Sequence, residues 1–366
     1  MIAAMQAGTV RELRRAFDEG RLSLFLGAGC SVASGVPTWD RLVTQLYVNG
    51  IARKLGRHLR VPGVVPAVGR WAFGRQIVPL EVAARGLRRH YESDATFVEM
   101  VRIMLYGMSG LQQWSRPRSA DVRKLLRNNR TLHAIAGLCR RSIPNKQGVQ
   151  AVITYNYDDL LEWMLDRRRF QSVWRASTLR PRLMPIYHVH GFVPLREGRE
   201  SLLDDIVLSE DQYNRAAQDP YTWQNLVQMQ ALSETISVMV GLSLTDRNLR
   251  RILDNLRAMP RRNRSYALLK HPPAWDIGNE EVAAILKEMK ERVRTGFEFG
   301  YDEQAVALLD RPAVHERIVS MIRDLQSLDL RRQEETAMEL GVTVIWYESH
   351  EDVAKILASI VPRRRR

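Results

Sequence analysis

"LFLGAGCSVASGVPTW", residues 24–39, runs from an apolar strand into a turn carrying Gly27, Gly29 and Gly35, and stops at Pro37. A strand feeding a glycine-rich turn that opens a helix brings backbone N–H groups and the positive end of a helix dipole to one point, where an anion fits. Gly27 and Gly29 let the chain turn tightly and approach a pyrophosphate with no Cβ in the way. The stretch lacks the third glycine of G-x-G-x-x-G, and no G-K-[ST] follows, so it is not a P-loop. Alone it leaves two readings open: a dinucleotide cradle, or a tight strand-to-helix turn with no ligand.

Working outward, short β-branched runs at 22–26, 151–154, 186–189, 236–241, 265–269 and 342–347 have the length of buried parallel strands. Helical stripes lie between them. Leu249, Ile252, Leu253 and Leu256 follow the i, i+3, i+4, i+7 spacing, and Val282, Ile285, Leu286, Met289 and Val293 make a second stripe. Strands alternating with helices predict an α/β fold, a Rossmann-like doubly wound parallel sheet. Residues 42–149 look helical throughout, with stripes at Leu42, Leu46, Ile51, Leu55 and Leu59 and at Phe97, Val98, Val101 and Leu105, broken by the proline and glycine segment 61–69. A structureless loop of that length is implausible, so 42–149 reads as an inserted helical subdomain and residues 1–41 with 150–366 as the sheet domain.

The chain has 366 residues, a formal net charge of +14 and two cysteines, Cys30 and Cys139. The cysteines rule out a four-cysteine zinc ribbon and argue against a disulfide framework, and no metal site is expected. Cys30, inside the glycine turn, reads as a close-packed small residue or as a reactive thiol. No window has the ~20 apolar residues of a membrane span, and the N-terminus reads as an amphipathic helix instead of a signal peptide, so the expected compartment is the cytoplasm, without membrane contact. Arginine-rich runs at 167–169, 261–264 and the terminal 362–366 give a basic surface open to nucleic acid or another anion.

Three further segments follow predicted strands: "ITYNYDDLLE" (153–162), "HVHGF" (188–192) and "GLSLTDRNLRRIL" (241–253). An open parallel sheet binds ligands outside the carboxyl ends of its strands, which collects these segments and the glycine turn at one edge. Asn156 can hold a ribose hydroxyl or a water, Asp158 can accept from sugar hydroxyls, and His190 can act as a base near neutral pH. Asn156 and Asp158 also suit the cap of a helix beginning at Asp159. His188 and His190 share a strand face, but no third ligand at metal spacing follows.

With these four segments in this order the sequence resembles the sirtuin superfamily, and more closely its bacterial sirtuin-like branch found in anti-phage defence. "GAGCSVASGVPTW" is similar to the family's G-A-G-x-S and S-G-[IV]-P, "TYNYD" to T-x-N-[IY]-D, "HVHG" to the catalytic H-G, and "GLSLTD" to G-x-S-x-x-[DE]. The resemblance implies that Gly27, Ala28, Gly29 and Ser31 cradle the pyrophosphate of NAD, with Gly35 and Pro37 shaping the loop over its nicotinamide end. It implies that Asn156 orients the nicotinamide ribose or a water, Asp158 helps to bind the nicotinamide end and His190 is the general base. Gly241 and Ser243 would meet the phosphates or the adenosine ribose, and Asp246 a ribose hydroxyl.

Two departures bear on the reaction. The chain cannot build the zinc ribbon of deacetylase sirtuins, and Thr38, Trp39, Asp40 and Arg41 stand where those carry an aromatic and an arginine. Trp39 reads either as that aromatic guard or as a core residue at a helix start, and Tyr347 either as a stacking partner for adenine or as core. The expected reaction is NAD hydrolysis to nicotinamide and ADP-ribose. A protein deacylase and a non-catalytic NAD or ADP-ribose sensor are the alternatives. The resemblance further implies a homo-oligomer and pairing with a hexameric HerA-type DNA-translocating ATPase, or alternatively with a short Argonaute.

Overall fold

A computed structural model describes residues 2–54, 80–107, 119–144, 146–196, 206–208, 219–257, 264–272, 278–294, 309 and 311–361. Leu55, Leu59, the break at 61–69, and residues 261–263 and 362–366 of the basic runs lie outside the described residues. Contacts divide the chain into two compact units, residues 1–270 with 340–366, and residues 271–339.

The first unit is built on a sheet whose described strands are β1 (Leu22–Leu26), β2 (Val149–Thr154), β3 (Phe170–Val173), β4 (Met184–His188), β5 (Ile236–Val240), β6 (Ser265–Lys270) and β7 (Val342–Tyr347). Their order is β3-β4-β2-β1-β5-β6-β7, and every neighbouring pair is parallel. Every residue of β1 and β5 is buried, as unbroken apolar runs in the middle of a parallel sheet require. Six strands follow the sequence pattern. The seventh, β3, is an edge strand of four residues with one neighbour, and its half-exposed Phe170, Gln171 and Ser172 carry no apolar run to betray it.

Helix α1 (Ile2–Asp18) precedes β1, and between β1 and β2 come α2 (Trp39–Lys54), α3 (Leu80–Arg85), α4 (Asp94–Tyr106), α5 (Ser119–Leu126) and α6 (Arg130–Arg141). Later come α7 (Trp223–Glu234), α8 (Arg247–Arg257), α9 (Asn279–Arg294), α10 (Pro312–Glu339) and α11 (His350–Ile360). Phe97, Val98, Val101 and Leu105 are buried on α4, and Leu249, Ile252, Leu253 and Leu256 on α8, as their spacing predicts. On α9 Val282 is buried, Ile285 and Leu286 are half-buried and Met289 is exposed. α11 packs on α1 and α6, and Arg14 on α1 donates to the Ser359 carbonyl of α11 at 2.7 Å. None of the described helices is long and apolar enough to cross a membrane.

From β1 the chain crosses to β2 on one side and later returns to β5 on the other, so the β1/β5 boundary is the switch point of the sheet. There the two turns touch backbone to backbone. Gly27 N–H donates to the Val240 carbonyl at 3.0 Å and Gly29 N–H to the Gly241 carbonyl at 3.1 Å. A Cβ on Gly27 would lie 2.5 Å from the Gly241 oxygen, and one on Gly29 would lie 2.8 Å from the Gly241 Cα. Gly241 itself has φ +68°, and a Cβ there would meet the Cys30 nitrogen at 2.6 Å.

No α-helix opens on the glycine turn. Two short 3-10 turns, Ala28–Cys30 and Val32–Ser34, follow β1; Gly35 at φ 80° reverses the chain, and α2 starts only at Trp39, beyond Pro37. Gly27→Ala should cost roughly 1–3 kcal/mol, the usual range for overpacking against atoms that cannot move aside. Gly241→Ala should cost more, because it adds a strained backbone to the clash. Urea unfolding of both variants, with unchanged circular dichroism of the folded state, checks the order.

Candidate functional site

Strand register levels the elements that form the site. Leu26 pairs with Thr154 and with Val240, and Thr154 pairs with His188, so β1, β2, β4 and β5 end side by side. The residues that follow line one cleft of about 770 Å³: Gly27, Ala28 and Gly29; Tyr155, Asn156, Tyr157 and Asp158; His190; and Gly241 to Asn248. Pro37, Thr38, Trp39, Asp40 and Leu42 add a wall from the start of α2, and Leu105 a further contact from α4. The volume is in the range of small-molecule sites.

Ten of the twelve residues expected at the site line this cleft, all but Ser31 and Gly35. Ser31 is fully buried beneath the turn, where its hydroxyl accepts from Asn156 Nδ2 at 3.2 Å and hydrogen-bonds Asp158. Asn156 Nδ2 also donates to the Gly27 carbonyl at 3.1 Å, so this amide staples the end of β2 to the glycine turn. Asp158 Oδ1 accepts from Leu160 N–H at 3.2 Å in a tight side-chain turn. The helix expected from Asp159 is absent, and a single 3-10 turn, Glu162–Met164, stands in its place.

His190 is buried, with its ring edge-on to Tyr155 at 4.7 Å, and Tyr155 in turn is hydrogen-bonded to Gln228 of α7. Its Nε2 lies 3.6 Å from Asp246 Oδ2. Burial lowers the imidazole below the ordinary histidine range, and the Asp246 carboxylate opposes that shift without cancelling it. His190 is therefore neutral at physiological pH and able to take a proton. Asp246 also caps α8, Oδ1 accepting from Leu249 N–H at 2.7 Å. Between Gly241 and Asp246, Leu244 holds a left-handed φ of 58°, a strained conformation for a branched side chain on the cleft wall.

Beneath the cleft lies a layer of buried charge that the sequence did not disclose. His188 faces two acceptors: its Nδ1 is 3.2 Å from the Asn156 carbonyl, and its Nε2 is 2.7 Å from Glu162 Oε1. Ser172 Oγ donates to the same Glu162 oxygen at 3.1 Å. Burial pushes the imidazole down, but Glu162 and the Asn156 carbonyl outweigh it, and His188 titrates above its ordinary value. Burial raises Asp158 to about 6 and, with the nearby Glu162 charge, Asp159 to about 7. Asp159 accepts from Leu195 N–H at 3.1 Å and Trp163 Nε1 at 3.0 Å, and lies 3.2 Å from the hydroxyl of Tyr106 on α4. The only sequence signal for this layer was the run of acids in "YDDLLE", whose Glu162 carries no motif.

The open alternatives at single residues resolve by packing. Cys30 is fully buried, donates to the Val240 carbonyl at 3.1 Å, and burial pushes its thiol up to about 12, so it is close-packed and unreactive. Tyr347 belongs to the core and does not line the cleft. Trp39 does both, packing against the core while lining the cleft, and its buried indole Nε1 has no hydrogen-bond partner among the described residues.

The His188–Glu162 pair gives a stability test with a definite sign. A histidine raised in the folded state contributes fully below its unfolded pKa of about 6.5, and that contribution is lost as pH rises through the folded value. Glu162→Gln should flatten that alkaline loss and cost roughly 3 kcal/mol at pH 6, where a buried imidazolium loses its counter-charge. Denaturant midpoints of both proteins between pH 5.5 and 8.5 measure it.

No curated protein matches the chain. The family model of the SIR2-like domain matches residues 150–293, the span that contains Asn156, Asp158, His190, Gly241, Ser243 and Asp246, so this span is similar to a sirtuin-like domain.

Proposed function

We propose that the cleft hydrolyses NAD, breaking the bond between nicotinamide and ribose C1′. SIR2-like domains bind NAD, and the observation that carries the finer reading is a buried neutral His190 in one cleft with Asn156, Asp158 and the two glycine turns. Nicotinamide leaves NAD with the electron pair of the C1′–N bond, and the ribose left behind has oxocarbenium character. The work of the site is to position that cation and hold a water against it. Water adds its oxygen to C1′ and gives its proton to His190, and the products are nicotinamide and ADP-ribose.

The other residues have positioning roles. Asn156 Nδ2 is committed to the glycine turn, and its Oδ1, with no protein hydrogen bond among the described residues, is the acceptor left for the water or a ribose hydroxyl. With the Gly27 and Gly29 N–H groups spent on the β5 turn, Ala28 N–H and the N-terminus of α8 are the backbone donors for the pyrophosphate. Ser243, whose hydroxyl is 2.7 Å from Thr245 Oγ1, faces the same ligand from the β5 turn. Trp39 Nε1 offers an unspent donor at the rim. Hydrolysis is favoured over deacylation because two cysteines, both buried, cannot build the four-cysteine zinc ribbon that deacetylase sirtuins carry. In this reading the protein is an NAD-depleting effector of anti-phage defence, silent until a partner engages it.

His190→Ala should lower nicotinamide release by about 10²–10⁴-fold, the span of a positioned general base, with the fold retained. Asn156→Ala should also abolish release, with an added loss of stability from the unstapled turn. The wild-type rate should fall only below the ordinary histidine range, since His190 stays neutral down to that pH. The assay is chromatography of NAD incubated with the protein alone, with DNA and a hexameric HerA-type ATPase, and with an acetylated peptide. Full activity in both variants overturns the assignment, strict peptide dependence turns it to deacylation, and tight NAD binding without turnover under every condition turns it to a sensor.

A further inference from the structure

α10 is a 28-residue helix on which Ala337 is the one buried side chain, and it carries an apolar seam, half-buried at Val314 and Ile318 and exposed at Met321, Leu325 and Leu328. Val314, Ile318, Met321, Leu325 and Leu328 follow one another at spacings of four, three, four and three, the a/d alternation of a two-stranded coiled coil. Met321, Leu325 and Leu328 are 63%, 49% and 50% exposed. Ile322, Gln326 and Leu330, half-buried, and Ala337 mark an adjacent face, so from Met321 onward the covered side of the helix is not the seam.

We infer that this seam pairs with the same seam of a second copy of the chain, antiparallel and about a two-fold axis. The charges beside the seam decide orientation and register. With Val314 and Met321 at d, the g positions are Arg317, Asp324 and Arg331, and Asp329 is at e. An antiparallel pair sets g against g. Placing Ile318 opposite Met321 of the second copy puts Val314 opposite its Leu325, and the two-fold axis then makes two Arg317–Asp324 contacts.

The alternatives repel. One heptad further on, Asp324 faces its own copy and Arg317 faces Arg331. A parallel pair sets g against e and opposes Asp324 to Asp329. Neither Arg317 nor Asp324 has a partner among the described residues, so both are available to the contact. Because one patch contacts itself, the interface is isologous and closes at two copies.

Sedimentation of the full chain over a concentration series tests this independently of the reading of the cleft. The wild type should self-associate, and Leu325→Glu should reduce it to the next smaller species while leaving its circular dichroism unchanged. Arg317→Asp and Asp324→Arg should each weaken association roughly tenfold, since each turns two attractive contacts into repulsive ones. Mixing these two variants should restore the wild-type state, because each chain then offers the charges that the other lacks. A wild type that stays monomeric at every concentration overturns the proposal, including the case in which another part of the chain covers the seam. So does an assembly indifferent to Leu325→Glu, and so does failure of the mixture to recover.

Discussion

The site depends on the approach of two backbones. At the β1/β5 boundary the turn after β1 lies against the turn after β5 with hydrogen bonds of 3.0 and 3.1 Å and no space for a Cβ at Gly27, Gly29 or Gly241. A glycine in such a place is usually credited to the ligand that it lets in. Here each is already required by its neighbour in the fold, and the N–H groups of Gly27 and Gly29 are spent on that contact. Cys30 has the same origin: its thiol fills the gap below and donates to Val240.

Under that contact the polar groups form a continuous support. Asn156 ties β2 to the glycine turn, His188 ties the Asn156 carbonyl to Glu162, and Asp159 ties the following loop to Tyr106 on α4. Each member is buried or, at Glu162, nearly so, and the loss of any one leaves a polar group short of its partner. The two histidines of "HVHG" thus divide the work. His188, beside Glu162 below the cleft, titrates above the ordinary histidine value, and His190, two residues on in the cleft wall, titrates below it.

The sheet was legible because its strands are buried on both faces and read as unbroken apolar runs; β3 was missed because an edge strand has no such run. The residues of the cleft were legible because the fold rule places strand ends together and the register in fact levels them. What lay hidden was direction. Sequence could assign Ser31 to the turn but not reveal that its hydroxyl points inward, nor that Asn156 spends its amide nitrogen on the turn itself. Glu162 was invisible for a plainer reason: an acid eight residues past a strand end resembles any solvated acid until His188 is seen beside it.

The helices between β1 and β2 hold the cleft loops at two polar points. Tyr106 on α4 reaches Asp159 and donates to the Val193 carbonyl at 2.7 Å; Asn129, which caps α6, donates to the Cys30 carbonyl at 2.8 Å and to Ser34 Oγ at 3.0 Å. Over the length of those helices the outward-facing residues are under no such obligation. Their surface can be rewritten, by drift or by design, to fit a new neighbour while one phenol and one amide keep the edge of the cleft in shape.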